Sequence, residues 1–176
     1  MITRYGNYMT NSIKINYVSI NGIIIVGWIS QYDDYEKKYL KTKSFKGSIN
    51  DLNEYLIKHN DLYQSNIKLS ELNKQIFGKY KVASGCGYNG NYVSDEYKTM
   101  LKYVEKGKVN KLNKLLTSFS SELQTIGAIG LIMEDELNER QKTIIPHLKD
   151  RNSQIYSCGV CSYRYNEPFS HRISYF

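Results

Sequence analysis

The sequence predicts an α+β protein in which an N-terminal antiparallel β-meander is followed by a helical second half and a short cysteine-bearing tail. Two observations carry this prediction. Residues 12–20 alternate apolar and polar side chains, which is the two-residue period of a half-buried strand. From residue 94 onward the apolar residues instead recur every three or four positions, as they do on one face of a helix.

The length and composition of the chain are those of one ordinary folded unit. Its 176 residues are 41% hydrophobic, enough to bury a core without relying on cysteines. We expect one compact unit made of three segments: a β-rich segment at 1–90 with one or two helices, a helical segment at 91–153, and a tail at 154–176.

The predicted meander begins with the strand at 12–20. Asn21-Gly22 follows it, and this dipeptide tolerates the positive φ angles of a type I′ hairpin turn. The returning strand at 23–30 is apolar almost throughout, so we expect it to be central and covered on both faces. A third strand at 38–45 carries lysines that suit an exposed face or a protected edge.

Two helices are predicted before the middle of the chain. Ser48 can cap the first, which has Asp51 in its first turn, where an acidic group favours the helix dipole. The second is short and runs over residues 70–77, where Gly78 ends it.

The second half is predicted to contain four helical segments. Ser94 caps the first, and Ser121 to Gln124 has the spacing of a capping box that opens the third. The third helix carries Gly127 and Gly130, whose small size lets a neighbouring backbone approach closely, so we expect it to be the buried central helix. Pro146 is expected to kink or restart the fourth.

The helix at 109–118, a brief polar turn and the small-residue-rich helix at 123–131 resemble the helix pair of a HEAT-type repeat. The resemblance covers roughly residues 95–150 and implies a surface for interaction, without catalysis. A solenoid needs at least about three repeats, and no second copy is visible here. The alternative is an ordinary small helical bundle, with its helices packed on the N-terminal sheet or on each other.

Three cysteines leave three alternatives open. Cys158 and Cys161 form a Cys-x-x-Cys pair, and together with Cys86 and His171 (or His147) they could bind one structural zinc ion in a Cys₃His site. Alternatively, Cys86 forms a disulfide with Cys158 or Cys161, which ties the tail to the middle of the chain. In the third alternative all three are reduced and share no role, and no cofactor is bound.

The cysteine state also bears on localisation. Reduced or zinc-binding cysteines favour the cytoplasm, and a disulfide favours an exported protein. The most apolar stretch, residues 23–29, is too short to span a bilayer and lies too far into the chain for an ordinary signal peptide.

Signals for catalysis are weak. Residues 85–90 match the dinucleotide-binding pattern Gly-x-Gly-x-x-Gly, but the next helix begins only near Ser94, so we interpret them as a turn-rich connector. A thiol-dependent enzyme would use Cys86 as nucleophile and His147 or His171 as base. The sequence carries no nucleophile elbow, zinc-protease motif or phosphate-binding loop.

The net charge of +7 favours an anionic partner. If that partner is nucleic acid, its contacts would be the lysines of the third strand and the arginines of the tail: Lys38, Lys41, Lys43, Arg164 and Arg172. The tail interleaves these arginines with tyrosines that could stack on bases, or that could belong to a terminal strand docked on a sheet.

The leading functional hypothesis is a non-enzymatic protein-interaction module, such as an adaptor, an inhibitor or an immunity-type protein. A basic nucleic-acid-binding protein is the alternative, and a thiol-dependent enzyme using Cys86 is the second alternative. We expect another protein as the partner, and no membrane span.

Overall fold

The α+β class is confirmed, with an N-terminal antiparallel sheet followed by a mostly helical half. The computed structural model describes residues 3–9, 13–20, 22–33, 38–47, 49–78, 80–86, 90–134, 137–151, 153–159 and 162–174. The chain divides into two compact units. The first consists of Met1–Leu62 and Asn66–Phe77, and the second of Tyr63–Ser65 and Gly78–Phe176.

The first unit contains the predicted meander. Its strands are β1 (Thr3–Met9), β2 (Ile13–Ile20), β3 (Ile23–Asp33) and β4 (Lys38–Lys46), all antiparallel and in sequential order. The sequence patterns located β2, β3 and β4 but missed β1. Because β1 contains glycine and asparagine, which are depleted in strands, only its pairing with residues 14–20 of β2 defines it.

One face of this sheet is packed. Val18 and Val26 are fully buried, and Trp28 is nearly so. A 3₁₀ turn at Ile49–Leu52 contacts β3 and leads into α1 (Asn53–Tyr63), and α2 (Leu69–Phe77) contacts the same turn. The two predicted early helices are therefore present, while the proposed cap Ser48 lies outside the described residues.

The second unit combines five helices with a sheet, as far as the structure describes it. The strands are β5 (Val82–Cys86), β6 (Tyr92–Val93), β7 (Gln154–Gly159) and β8 (Ser162–Pro168), in the order β6-β5-β7-β8. The helices are α3 (Asp95–Glu105), α4 (Val109–Leu116), α5 (Ser121–Ile132), α6 (Glu139–Arg151) and α7 (Phe169–Ile173). β5 and β7 are parallel, and the other neighbours are antiparallel. The tail thus forms a hairpin within this sheet.

Helix α5 is the buried central helix that its small residues predict. Every residue from Leu123 to Leu131 is buried. A Cβ atom at Gly127 would lie 2.7 Å from the carbonyl carbon of Leu115 and closer still to the amide nitrogen of Leu116. Glycine is therefore what allows the backbone of α4 to pack directly against α5.

Helix boundaries agree with the sequence in most places. Ser94 is the N-cap of α3 and accepts a hydrogen bond from the Tyr97 amide at 3.3 Å. The cap of α5 is Ser120 rather than Ser121, because the Ser120 hydroxyl accepts from the Leu123 amide and donates to Glu122. Pro146 does not restart α6, which continues from Glu139 to Arg151 as one helix.

Candidate functional site

A buried polar cluster lies where β7, β8 and α7 meet. The Ser157 hydroxyl donates a hydrogen bond to the Glu167 carboxylate, whose other oxygen lies 2.7 Å from Nδ1 of His171. Ser157 is fully buried and Glu167 is only 4% exposed, whereas about half of the His171 side chain faces solvent. The antiparallel hairpin places Ser157 near Glu167, and His171 follows Glu167 by four residues, on α7.

Glu167 stays charged inside this cluster. Burial raises its pKa, but hydrogen bonds from Ser157 and His171, together with the positive charge of Arg172, outweigh burial and hold that pKa below its ordinary value. Arg172 is itself buried and donates to the Ser84 hydroxyl at 2.5 Å. The cluster therefore fastens α7 and the tail hairpin to β5.

A disulfide joins the same strands. Cys86 on β5 and Cys158 on β7 are bonded, with their Cα atoms 5.7 Å apart, and both are buried. Of the three cysteine alternatives, the structure thus has the disulfide between Cys86 and Cys158. Cys161, the remaining cysteine of the predicted zinc site, lies outside the described residues.

The proposed metal ligands do not converge within the part of the chain that is described. Two of the four, Cys86 and Cys158, are bonded to each other, and His171 is directed at Glu167. The described residues contain no group of three histidine, cysteine, aspartate or glutamate side chains that could hold a metal ion. The thiol-enzyme alternative also loses its nucleophile in this state, since a disulfide-bonded Cys86 has no thiolate.

The glycine-rich connector at 85–90 joins two antiparallel strands. β5 precedes the connector and β6 follows it. The φ angles of Gly85 and Gly90 are +131° and +64°. Residues 87–89 lie outside the described residues. Because α3 begins only after β6, the direct strand-to-helix junction of a dinucleotide site is not formed.

The predicted nucleic-acid contacts are divided between the two units. Lys38, Lys41 and Lys43 lie on β4, where the Lys43 side chain is exposed. Arg164 lies on β8, and Arg172 on α7 is only 7% exposed. Burial removes Arg172 from any surface that a polyanion could reach. The side chains of Lys38, Lys41 and Arg164 are outside the description.

Lys81 shows one use of the many tyrosines. Its ammonium group lies 5.0 Å from the ring centre of Tyr92 and 4.8 Å from that of Tyr156. Burial lowers the pKa of Lys81. Tyrosines here hold a lysine against the second sheet through cation–π contacts, as expected for residues with an apolar body and a polar tip.

The other face of the N-terminal sheet is partly open, which corrects the expectation that β3 is covered on both faces. Ile15 on β2 pairs with Ile29 on β3, and Ile29 pairs with Lys43 on β4, so the three share this face. Ile29 is 41% exposed and Ile13, two residues before Ile15, is 42% exposed. We call the described residues of this surface the outer face: Ile13, Ile15, Tyr17, Gly27, Ile29, Gln31, Lys43 and Phe45.

Gly27 shapes the outer face. It pairs with Phe45, and a Cβ at Gly27 would fall within the space of the Phe45 ring, at 2.6 Å from one ring carbon. The Phe45 ring therefore lies over Gly27, in the space that a side chain at that position would fill. Sequence reasoning did not find the outer face, because the signal that assembles it is strand register, which pairs residues far apart in the chain.

No family model, curated protein or solved structure matches this chain. The HEAT-type resemblance of residues 95–150 therefore stays a prediction. Within the described residues, every helix is too short or too polar to span a lipid bilayer.

Proposed function

We propose that this chain is a non-enzymatic protein-interaction module and that it binds a partner protein through the outer face of its N-terminal sheet. The observation that carries the proposal is the apolar group of exposed Ile13, partly buried Ile15 and exposed Ile29, on a sheet whose opposite face is already packed. Contiguous exposed apolar patches on a soluble protein are characteristic of interaction sites.

The outer face also indicates the chemistry of the partner. Lys43 is exposed in the same cross-strand row as Ile15 and Ile29. An interface of this kind fits a partner with apolar side chains at its centre and carboxylates at its rim. Adaptor, inhibitor and immunity-type roles all require such a surface.

The buried polar cluster is consistent with a fastening role rather than a catalytic one. Glu167 directs its carboxylate at Ser157 and His171, and Arg172 reaches Ser84 on β5. With the disulfide it holds the tail in place. If the disulfide is present in protein isolated from its source, an oxidising, exported setting is favoured.

The test compares two isoleucine-to-lysine variants. Ile29→Lys changes the outer face, and Ile57→Lys is the matched control on α1, where the isoleucine is 61% exposed. Proteins retained by the immobilised wild-type chain would be identified, purified and titrated calorimetrically against each variant. We expect Ile29→Lys to raise the dissociation constant at least about tenfold, which is equivalent to a loss of about 1.4 kcal/mol of binding free energy from apolar contact. Ile57→Lys should leave the dissociation constant unchanged.

Two results would overturn the proposal. One is a purified partner that binds Ile29→Lys as tightly as it binds the wild type. The other is the result that none of the proteins retained by the immobilised chain still binds it when both are purified.

A further inference from the structure

The segment from Lys98 to Leu116 has the strongest local charge imbalance that we find among the described helices. It contains six lysines and a single carboxylate, Glu105. All six lysines are exposed, on α3, on the turn after it and on α4. We call them the lysine face: Lys98, Lys102, Lys106, Lys108, Lys111 and Lys114.

The helical hairpin presents these lysines to solvent because its other side is core. On α3, Met100 is fully buried, while lysines recur every fourth residue, about 6 Å apart along the helix axis. Gly107, with φ of +57°, turns the chain into α4. There Leu112 and Leu116 are fully buried, so the opposite side of α4 faces water.

The charges of the lysine face are largely uncompensated. Lys98 lies 3.5 Å from Asp95, an exposed pair that contributes little. Among the described residues, no carboxylate lies within ion-pair distance of Lys102, Lys106 or the three lysines that follow. The segment therefore carries a net positive charge that described ion pairs leave largely unneutralised, and the phosphates of a polyanion would neutralise it.

We infer that the lysine face binds the phosphate backbone of double-stranded DNA without reading its sequence, an activity beyond the proposed protein binding at the outer face. Lysines act as point charges for phosphates, and this term supplies essentially all non-specific DNA binding. The residues differ from those that the sequence suggested on β4 and in the tail.

Three comparisons favour duplex DNA over an acidic protein, an anionic membrane surface and a single-stranded nucleic acid. Lysine is depleted in protein–protein interfaces, so six of them make a poor centre for an acidic protein. Membrane-surface helices insert a wide apolar face, but Met100 and Leu112 are fully buried in the core, and the exposed large apolar residues described on α3 and α4 are Leu101 and Val109, at 38% and 36%. Proteins that bind single strands stack bases on exposed aromatic rings, whereas the two tyrosines of α3 are buried (Tyr97) or partly buried (Tyr103).

The experiment measures fluorescence anisotropy of a labelled 20-base-pair DNA duplex against the full chain between 50 and 200 mM salt. If five lysines meet phosphates, log affinity should fall with log salt at a slope of about −4.5, a loss of about 500-fold across this range. The triple variant Lys102→Gln, Lys106→Gln, Lys111→Gln should reduce the slope to about −2. Lys111→Gln alone should reduce it by about 0.9.

The matched control removes the same net charge elsewhere. Lys68→Gln, Lys74→Gln, Lys149→Gln neutralises three exposed lysines outside the lysine face and should leave slope and affinity unchanged. Equal losses in both triples would overturn the inference, because net charge alone would then explain binding. Absence of binding at 50 mM salt would also overturn it.

Two further probes decide between anions. Tighter binding to a labelled single-stranded 20-mer would overturn the duplex assignment. Tighter binding to phosphatidylserine vesicles or to polyglutamate would overturn the assignment to nucleic acid. Ile29→Lys should bind the duplex like the wild type, so failure at one surface is distinguishable from failure at the other.

Discussion

Replacing Gly127 by alanine tests whether the close backbone contact between α4 and α5 requires a residue without a side chain at this position. The new Cβ would meet three backbone atoms of α4: the carbonyl carbon of Leu115 at 2.7 Å, Cα of Leu116 at 2.8 Å, and the Leu116 amide nitrogen closer still. Backbone atoms cannot rotate away as a side chain can, so one helix must move relative to the other.

The size of the effect follows from two opposing terms. Overpacking a core costs about 1–3 kcal/mol, and a backbone clash belongs at the upper end. Alanine regains about 1 kcal/mol of helix propensity. We therefore expect Gly127→Ala to lower the free energy of unfolding by about 2 kcal/mol.

Gly130 on the same helix is the matched control. A Cβ there would meet Cδ2 of Leu112 at 2.7 Å and Cγ of Met100 at 2.8 Å, both in side chains that can adjust. The overpacking cost should fall to about 1 kcal/mol and cancel the gain in propensity. Gly130→Ala is therefore expected to be nearly neutral.

Urea unfolding followed by far-ultraviolet circular dichroism measures both variants. Gly127→Ala should lower the midpoint while leaving the m-value unchanged. The reasoning would be refuted if Gly127→Ala were as stable as the wild type, or if Gly130→Ala were the more destabilised of the two.

Three further predictions concern the fastening of the second unit. Glu167→Gln should lower the free energy of unfolding by about 2 kcal/mol at pH 7. Because the folded pKa of Glu167 lies below its ordinary value of 4.5, this contribution is present above about pH 4.5 and is lost as pH falls through the folded pKa. The urea midpoints of variant and wild type should therefore converge in acid, and a constant difference between them would contradict the prediction. Cys86 and Cys158 are 72 residues apart, so Cys158→Ala should cost about 4 kcal/mol of unfolding free energy; an unchanged denaturation midpoint would refute this. Ser94→Ala removes the hydrogen bond from the Tyr97 amide and the hydrogen bond to the Lys81 carbonyl. It should lower the thermal midpoint by an amount equivalent to about 1–2 kcal/mol, whereas a substitution at an exposed helix position should leave the midpoint nearly unchanged.

Local patterns were sufficient to predict most of the elements. Alternation located β2, a serine located the start of α3, and small residues identified α5 as the buried helix, because each of these features acts over a few neighbouring residues. The tail was ambiguous for the same reason. Interleaved tyrosines and arginines describe a docked strand as well as a binding segment, and only the pairing of β7 with β5 and β8 decides for the strand.

The candidate sites depended on contacts between distant residues. Ile15 meets Ile29 through register, Glu167 meets Ser157 across a hairpin, and nothing in the local sequence marks either pair. The lysines of α3 and α4 were visible in the sequence but were not recognised as a group, because other residues interrupt the run and the exposure of all six is a property of the folded chain.

By itself the sequence determined the α+β class, the order of most elements and the burial of α5, since propensity, capping and hydrophobic period are short-range. The tertiary structure alone decided that Cys86 bonds to Cys158, that Glu167 is held charged inside the second unit, and that one face of the first sheet stays partly open. Each of these outcomes depends on which surfaces come together when strands pair, and strand pairing joins residues that no local pattern connects.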